Sequence, residues 1–285
     1  MKPLNDATVI VCSIVRNASR GLKRNIPVIN AICSQAKDYK IVIYENDSID
    51  ETKDILREWA RNKSKEKIHL LLNNTDPNQT IPSSKSTIAN PFFCRKRIEK
   101  MTNLRNKYME YVEKNNWNAD YLIVVDLDVE EICLEGVLSA FTTISDWDAI
   151  TAFGYSISPK LRIRYHDTYA LIEKGKENIP QTENIIYKSA EIFGKIKNSK
   201  ELYPVFSAFG GLSIYQFNAI KGLYYQTLDN SDSRVEVRCE HFSIYKQMHE
   251  RGSTKVFISP QMKLKYQRIS FELIWNTLKR KMHLA

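Results

Sequence analysis

Glycine is scarce in this chain, with only nine among 285 residues, and neither of the common glycine-rich phosphate loops occurs. The absence of G-x-G-x-x-G excludes the usual dinucleotide fingerprint, and the absence of G-x-x-x-x-G-K-[ST] excludes a P-loop. Such loops hold phosphates through backbone N–H groups. Any phosphate bound by this chain must therefore be held by side chains, or by a metal ion that they ligate.

Long apolar runs and closely paired cysteines are also missing. No segment approaches the roughly 18 apolar residues of a membrane-spanning helix, and the five cysteines show no C-x-x-C spacing. Reduced core thiols are the best interpretation of these cysteines, and they predict a cytoplasmic location. The net charge of +9 suits an anionic partner. We do not expect nucleic acid, because no dense Lys/Arg run with interleaved aromatic residues is present.

The most informative segment that is present runs from Tyr121 to Asp128. Five apolar residues predict a buried strand, and two carboxylates, Asp126 and Asp128, follow it with one residue between them. In an extended backbone these two side chains point to the same side and can ligate one Mg²⁺ or Mn²⁺ ion. The alternative is that one of them caps a helix beginning near Leu134.

The upstream sequence alternates strands and helices. Predicted strands cover Thr8–Val15, 41–44 and 68–72, and the second ends in the polar turn E-N-D-S-I-D-E-T, residues 45–52. A long basic helix carrying Arg97 and Arg105 precedes the Asp126-Leu127-Asp128 strand. This order is typical of nucleotide-binding α/β folds. The polar turn is also a good helix N-terminus, so its side chains need not bind a ligand.

These residues resemble a family. The polar turn, the Arg105-Asn106 pair and the D-x-D motif are similar in order and spacing to those of GT-A fold glycosyltransferases, which use nucleotide-sugar donors. The pattern F-G-G-L-S-I-Y at residues 209–215 and Cys239-Glu240-His241 look most like the fungal capsule-associated mannosyltransferase family. Asn46 and Asp47 depart from the usual acid and glycine of the turn.

The resemblance implies a role for each matching residue. Glu45, Asn46 and Asp47 are expected near the base and ribose, Arg105 and Arg97 near the diphosphate, and Asp126 and Asp128 at the metal. Within the second half, Gly210 and Gly211 interrupt a predicted strand over residues 205–215, which allows either a bulge or a close backbone approach to a ligand.

Glu240 and His241 have competing interpretations. In the inverting enzymes that this chain resembles, an acid at the start of a late helix deprotonates the acceptor hydroxyl, and Glu240 precedes a helix predicted to reach Arg251. His241 is a candidate metal ligand through a neutral imidazole. The structural alternative is that Glu240 only favours the positive end of the helix.

The remaining segments are less informative. We predict a strand over Asp148–Phe153, a loop over Tyr155–Tyr165, and an insertion over Glu173–Glu201 near the acceptor, with helical periodicity over 183–196. A final helix over 269–282 ends in Lys279-Arg280-Lys281; it either contacts an anionic membrane as a peripheral anchor or packs against the domain.

We therefore expect a single GT-A-like α/β domain with a central, mostly parallel sheet flanked by helices. Residues 1–130 form its donor half and 131–265 its acceptor half. The expected activity moves a sugar from a UDP- or GDP-sugar to a hydroxyl of a glycan or glycosylated acceptor, in glycan or polysaccharide synthesis, with Mn²⁺ or Mg²⁺. One alternative is a sugar nucleotidyltransferase, although the first strand leads into R-N-A-S-R-G and not into a glycine-rich loop. The other is a non-catalytic carbohydrate- or nucleic-acid-binding protein.

Overall fold

The protein is described here by a computed structural model that covers residues 1–64, 66–73, 90–142, 146–157, 162–267 and 275. The predicted C-terminal helix over 269–282, and with it the predicted membrane contact, lies outside these residues except for Trp275. Within the described part of the chain, no helix is both long and apolar enough to cross a membrane.

A ten-stranded sheet with flanking helices forms the centre of the molecule. In chain order the strands are β1 (Thr8–Val15), β2 (Asp38–Asn46), β3 (Ile68–Asn73), β4 (Tyr121–Val125), β5 (Glu131–Ile132), β6 (Ala149–Ile157), β7 (Ile163–Tyr165), β8 (Tyr203–Pro204), β9 (Leu212–Gln216) and β10 (Val256–Lys265). The helices are α1 (Ser19–Ser34), α2 (Thr52–Arg61), α3 (Arg95–Lys114), α4 (Leu134–Ser139), α5 (Glu183–Lys188), α6 (Ile192–Ile196), α7 (Phe217–Ile220) and α8 (Glu240–Glu250). Short 3-10 turns occupy Leu4–Asp6 and Ser189–Glu191.

The strand order is β3-β2-β1-β4-β9-β6-β10-β5, with β7 on β6 and β8 on β10. Strands β3, β2, β1 and β4 are parallel, as are β6 and β10, whereas β9 is antiparallel to both β4 and β6. Most of the paired length is parallel, which confirms the predicted fold class. Parallel strands place their carboxyl ends at one edge, where open α/β sheets bind ligands.

Side-chain alternation divides the core into two layers. Along β4, Tyr121, Ile123 and Val125 contribute to the layer packed against α1 and α2, and Leu122 and Val124 to the opposite layer. All five are fully buried, and each such aliphatic side chain contributes roughly 1.5–3 kcal/mol of hydrophobic free energy. Because the period is two, the next residue, Asp126, lies on the side of Leu122 and Val124.

Helix α3 covers that second layer. Its buried positions are Ile98, Thr102, Arg105, Tyr108, Met109 and Val112, which recur at helical spacing. Arg105 is therefore a cation on the apolar stripe of the helix. That position faces the sheet below it, close to the end of β4.

Two predicted segments of the second half differ from the structure. Residues 155–165 contain the end of β6 and all of β7 rather than only a loop, because Ile163–Tyr165 pairs with Tyr155–Ile157. Residues 205–211 are not part of the strand predicted over 205–215, which begins at Leu212. Gly210 and Gly211 have φ values of 63° and 90°, outside the extended range that a strand requires.

Candidate active site

A cavity of about 810 Å³ opens where β1, β2 and β4 end. This volume is within the range of small-molecule sites. Its wall includes Val15 from the end of β1, Asn46 from the end of β2, and both Asp126 and Asp128 after β4. The strand edge has thus brought together residues that are separated by more than 100 positions in the chain.

The two carboxylates of the D-x-D motif are presented by a turn rather than by an extended strand. Strand β4 ends at Val125, and the turn that follows begins at Leu127. Its backbone is held by the buried Asn25 of α1, whose Nδ2 donates to the carbonyl oxygens of Leu127 at 3.0 Å and Val129 at 2.8 Å. The sequence analysis did not identify Asn25, because an amide within a helix gives no sign of its distant partners.

Asp126 is an unusual carboxylate. Burial raises its pKa, the nearby Arg105 lowers it, and the charges of Asp128, Asp167 and Glu240 raise it again, to about 7. The Tyr266 hydroxyl donates to Asp126 Oδ2 at 3.3 Å. A carboxylate surrounded by others in this way would be stabilised by a cation.

Arg105 and Glu240 form a buried ion pair in the same cavity. Arg105 Nε donates to Glu240 Oε1 at 2.9 Å, and Arg105 Nη2 lies 3.7 Å from Asp126 Oδ1. Burial acts to raise the pKa of Glu240, but Arg105 overcomes this effect and lowers it to about 2. Glu240 is therefore ionised at neutral pH and begins α8 as predicted. Arg105 Nη1 is buried and has no hydrogen-bond partner among the described residues.

His241 lies beside Glu240, and its two ring nitrogens lack hydrogen-bond partners among the described residues. It is 1% exposed and stacks on Phe209 with ring centroids 3.8 Å apart. Burial, and then the charge of Arg105, lower its pKa well below the usual range, so the imidazole is neutral. Neither ring nitrogen has a hydrogen-bond partner within the described residues, although His241 Nε2 lies 3.7 Å from Glu240 Oε1. Buried polar atoms without partners are rare in proteins and often face a ligand.

The donor atoms suit a hard or borderline divalent cation. Among the residues that the structure describes, no cluster of three or more His, Cys, Asp or Glu side chains is arranged to hold a metal. Mg²⁺ commonly uses only one or two carboxylates and completes its shell with substrate phosphates and water. Asp126 and Asp128 therefore fit a cation that binds together with a phosphate ligand. The neutral imidazole of His241 lines the same cavity but is not grouped with them as a third ligand.

Two residues that the sequence analysis missed also line the cavity. Asp167 accepts a hydrogen bond from Gly210 N at 3.3 Å, and burial followed by the charge of Glu240 raises its pKa to about 6. Tyr266 stacks on His166 with centroids 3.6 Å apart while its hydroxyl reaches Asp126. No motif marks Asp167 or Tyr266, since both reach the site only through the pairing of β6, β7 and β10.

The predicted donor turn is divided by the structure. Asn46 lines the cavity, whereas Glu45 and Asp47 are buried beside it and are not part of its wall. Glu45 Oε1 accepts the Ser48 N–H at 2.5 Å and its Oε2 lies 3.7 Å from Lys53 Nζ. Asp47 has φ 53° and a buried Oδ1 without a partner in the described chain. Glu45 thus shapes the turn from which Asn46 faces the cavity.

Gly210 and Gly211 lie behind the cavity, and Arg97 lies in its wall. A Cβ atom on Gly210 would lie 2.1 Å from the Ala152 carbonyl oxygen, and one on Gly211 would lie 2.8 Å from the Tyr266 hydroxyl. Gly211 O also accepts the Asp126 N–H at 2.8 Å. The close approach at these two glycines is therefore made to other atoms of the protein, namely the Ala152 backbone and the Tyr266 side chain.

Comparison with known proteins identifies a family for this chain. The sequence profile of the family described as Cryptococcal mannosyltransferase 1 matches residues 16–256 of this chain. No curated protein matches it in sequence.

Solved structures with a similar fold include two sugar-transferring enzymes. The mannosyltransferase PcManGT from Pyrobaculum calidifontis, solved with GDP-Man and Mn²⁺, has a TM-score of 0.53 and 10% identity, and the match covers 99% of this chain and 64% of that one. GalNAc-T7, solved with UDP, GalNAc and Mn²⁺, has a TM-score of 0.51 and 14% identity, with coverage of 96% and 47%. The chain therefore spans less than two thirds of either relative. Identities this low establish similarity of fold alone.

Proposed function

The chain belongs to the Cryptococcal mannosyltransferase 1 family, and from this membership we propose that it transfers a sugar from a nucleoside diphosphate sugar to a hydroxyl group of a glycan or glycosylated acceptor. The family resemblance predicted from the sequence is confirmed by the profile match. The observation that carries the proposed activity is the cavity at the strand ends, where Asp126 and Asp128 face the same space as the buried Arg105 and His241.

The proposed donor site lies along the first four strands. Asn46 faces the base and ribose, with Glu45 and Asp47 supporting the turn behind it. Arg105 and Arg97 lie near the diphosphate, where charge-assisted hydrogen bonds from a guanidinium are strong. In support of this, Arg105 Nη1 is buried without a partner among the described residues. The GDP-Man and UDP of the two fold relatives make a nucleotide donor the natural first choice here.

In this proposal Asp126 and Asp128 would hold Mn²⁺ or Mg²⁺ together with phosphate oxygens of the donor, and His241, a candidate ligand from its sequence, lines the same cavity. A bound divalent cation acts as a Lewis acid and stabilises the negative charge that develops on a departing nucleoside diphosphate. The Tyr266 hydroxyl orients Asp126 through its hydrogen bond at 3.3 Å. Asn25 keeps the following turn, and hence Asp128, in place.

The transfer step requires a base for the acceptor hydroxyl. The acceptor oxygen forms a bond to the anomeric carbon, the bond from that carbon to the diphosphate oxygen breaks with its electron pair, and the hydroxyl proton passes to a carboxylate. We assign that role to Glu240, which lines the cavity at the start of α8. A general base within hydrogen-bond reach contributes roughly 10²–10⁴-fold to the rate. Attack from the face opposite the diphosphate would invert the anomeric configuration.

Asp167 is the second candidate for the base. Its pKa of about 6 makes it more basic than Glu240, whose pKa is lowered to about 2 by Arg105. Binding of a diphosphate next to Arg105 would weaken the hold of that guanidinium on Glu240 and raise its basicity. The two carboxylates are distinguished by comparing Glu240→Gln with Asp167→Asn in single-turnover transfer.

A thermal-shift panel tests the proposed function. Purified protein is heated with UDP-, GDP-, CMP- and dTDP-sugars, with and without Mn²⁺, because a ligand that binds only the folded state raises the melting temperature. We expect one nucleotide class to stabilise the protein and Mn²⁺ to be required for that effect. Asp128→Ala should keep its fold and lose the Mn²⁺-dependent shift.

Product analysis completes the test. Release of nucleoside diphosphate is expected, whereas release of pyrophosphate would indicate nucleotidyl transfer. Full turnover in EDTA, or in the Asp128→Ala variant, would refute the metal assignment. A protein that none of the nucleotide sugars stabilises would refute the donor assignment.

A further inference from the structure

Two aromatic rings stand exposed at the entrance of the cavity. Phe92, before α3, is 64% exposed, and Tyr187, in α5, is 52% exposed. Both line the cavity wall. Large apolar side chains at the edge of a polar cavity commonly mark a ligand-contact surface.

Polar contacts hold the backbone of Phe92 and the hydroxyl of Tyr187. Asn90 Oδ1 accepts the Phe92 N–H at 3.0 Å, and Asn90 Nδ2 lies 3.4 Å from the Tyr187 hydroxyl. Arg97 Nη1 donates to the Phe92 carbonyl oxygen at 3.0 Å. One asparagine therefore contacts both the Phe92 backbone and the Tyr187 hydroxyl. A backbone that is held in place before a ligand arrives reduces the entropy lost when the ligand binds.

A layer of buried side chains connects the two rings to the floor of the cavity. Phe93 packs on Tyr169 with centroids 4.7 Å apart and lies 6.2 Å from Tyr187. The Tyr169 hydroxyl donates to the carbonyl oxygen of Val237, three residues before Glu240. The wall with the exposed rings is thus continuous with the segments that carry the two candidate bases.

The rings belong to a part of the site separate from the donor turn. Asn90, which contacts both Phe92 and Tyr187, also bonds to Glu183 and, through its backbone N–H, to the Arg234 carbonyl oxygen at 3.0 Å. The turn after β2 instead bonds to the turn after β1, where the N–H of Asn17 donates to Ser48 Oγ at 2.8 Å. The entrance therefore combines residues 90–97 from the first half of the chain with Glu183 and Tyr187 from the second, and its contacts differ from those of the donor turn.

We propose that Phe92 and Tyr187 form a subsite for an acceptor oligosaccharide, in which a sugar ring beyond the one that receives the new sugar packs its C–H face on these aromatic rings. The inference rests on the proposed function, because the hydroxyl that reacts must reach the carboxylates on the cavity floor. Aromatic faces carry partial negative charge and attract the polarised C–H groups of a pyranose. The enzyme would then prefer an acceptor of at least two sugars over a monosaccharide.

The test measures glycan binding in the presence of the nucleotide. Wild-type protein with Mn²⁺ and either UDP or GDP, whichever stabilises it, is applied to an array of defined oligosaccharides of one to six sugars, neutral and uronic-acid-containing. We expect at least one oligosaccharide to bind about tenfold more tightly than the matching methyl monosaccharide. Phe92→Ala and Tyr187→Ala should each lose about tenfold of that affinity, equivalent to about 1.4 kcal/mol. Both alanine variants should also lose the preference for an oligosaccharide over a monosaccharide.

Two matched controls separate the rings from general effects. Tyr187→Phe keeps the aromatic face and should keep glycan binding. Ile185→Ala removes a 39% exposed apolar side chain from the same helix, outside the cavity wall, and should bind glycans like the wild type. Nucleotide affinity and melting temperature should be unchanged in all four variants, since none of these side chains is buried.

The outcomes are distinct. The subsite would be overturned if the protein bound the nucleotide but no glycan. It would also be overturned if Phe92→Ala and Tyr187→Ala bound the oligosaccharide as tightly as the wild type. Either result would leave the donor assignment intact. Loss of binding to anionic lipid vesicles in the two alanine variants, with glycan binding unchanged, would assign the rings to a membrane contact and also overturn it. A failure of the wild type to bind either nucleotide would instead remove the proposed function.

Discussion

Replacing Asp126 by asparagine is expected to stabilise the metal-free protein at pH 8. The pKa of this carboxyl is raised from 3.8 to about 7, first by burial and then by the balance of Arg105 against three neighbouring carboxylates. The folded protein therefore binds the proton of Asp126 more tightly than the unfolded chain does. The contribution of Asp126 to stability must fall as the pH rises from about 4 through about 7.

The magnitude follows from the two pKa values. The difference between them corresponds to roughly 4 kcal/mol of unfolding free energy, at about 1.4 kcal/mol per pH unit. This value is the upper limit of the stabilisation that Asp126→Asn can produce at pH 8. The side chain is 21% exposed, so water screens part of the effect. We expect a gain of about 1–3 kcal/mol, or about 2–6 °C in melting temperature for a chain of this size. At pH 4 the variant and the wild type should be equally stable.

The assay is denaturant and thermal unfolding in EDTA between pH 4 and 8. Asp120→Asn serves as a control of opposite sign, because the Asp120 carboxylate accepts the Thr8 N–H at 2.8 Å and pairs with Lys2 at 2.9 Å. These contacts outweigh its partial burial and lower its pKa. Losing that carboxylate should destabilise the protein at pH 8. Adding Mn²⁺ should stabilise the wild type and have no effect on Asp126→Asn.

The reasoning would be refuted if Asp126→Asn at pH 8 were no more stable than the wild type and if its stability changed with pH in the same way. It would mean that Arg105 fully neutralises the carboxylate without a cation. The cluster would then be a structural ion-pair network rather than a site prepared for a metal.

Three further predictions concern the same cavity. Glu240→Gln should keep donor affinity, reduce transfer by at least roughly 100-fold and leave an inverted product; near-normal transfer would discard Glu240 as the base and favour Asp167, and a retained anomer would discard the single-displacement step for both carboxylates. Arg105→Ala should weaken nucleotide binding by roughly 1.5–3 kcal/mol in calorimetry, with acceptor affinity little changed; it should also destabilise the fold by about 3–5 kcal/mol, because Glu240 loses its buried partner. Asn25→Ala should destabilise the protein by about 1–3 kcal/mol and weaken Mn²⁺ binding in titration calorimetry, since two carbonyl oxygens of the D-x-D turn lose their donor; unchanged Mn²⁺ affinity would show that the turn holds itself.

The first half of the fold was readable from the sequence because its signals are local. Thr8–Val15 and Tyr121–Val125 are runs of apolar, mostly β-branched or aromatic residues, and the structure has strands with the same bounds. Parallel strands buried on both faces require such runs. The position of Asp126 and Asp128 at the carboxyl end of β4 follows from the strand alone, whereas the turn that presents both to one cavity depends on Asn25 of α1.

The second half was harder because its strands pair over long distances. Ile163–Tyr165 is too short to be recognised as a strand and exists through its pairing with β6. Residues 205–211 read as a strand by their apolar content, but the positive φ angles of Gly210 and Gly211 end any extended conformation there. Gly210 permits a close backbone contact with Ala152 that no local pattern predicts.

The sequence by itself determined the class of fold, the order of the motifs and the residue types available for chemistry. Only the tertiary structure decided how those residues meet. Arg105 faces Glu240 because helical periodicity puts a cation on the buried stripe of α3 and the packing of α8 places an acid opposite it. Asp167 and Tyr266 join the site because β6, β7 and β10 come together at its edge. Contacts between distant segments depend on packing and strand register, and the charge balance that sets the pKa of Asp126 exists only once those contacts have formed.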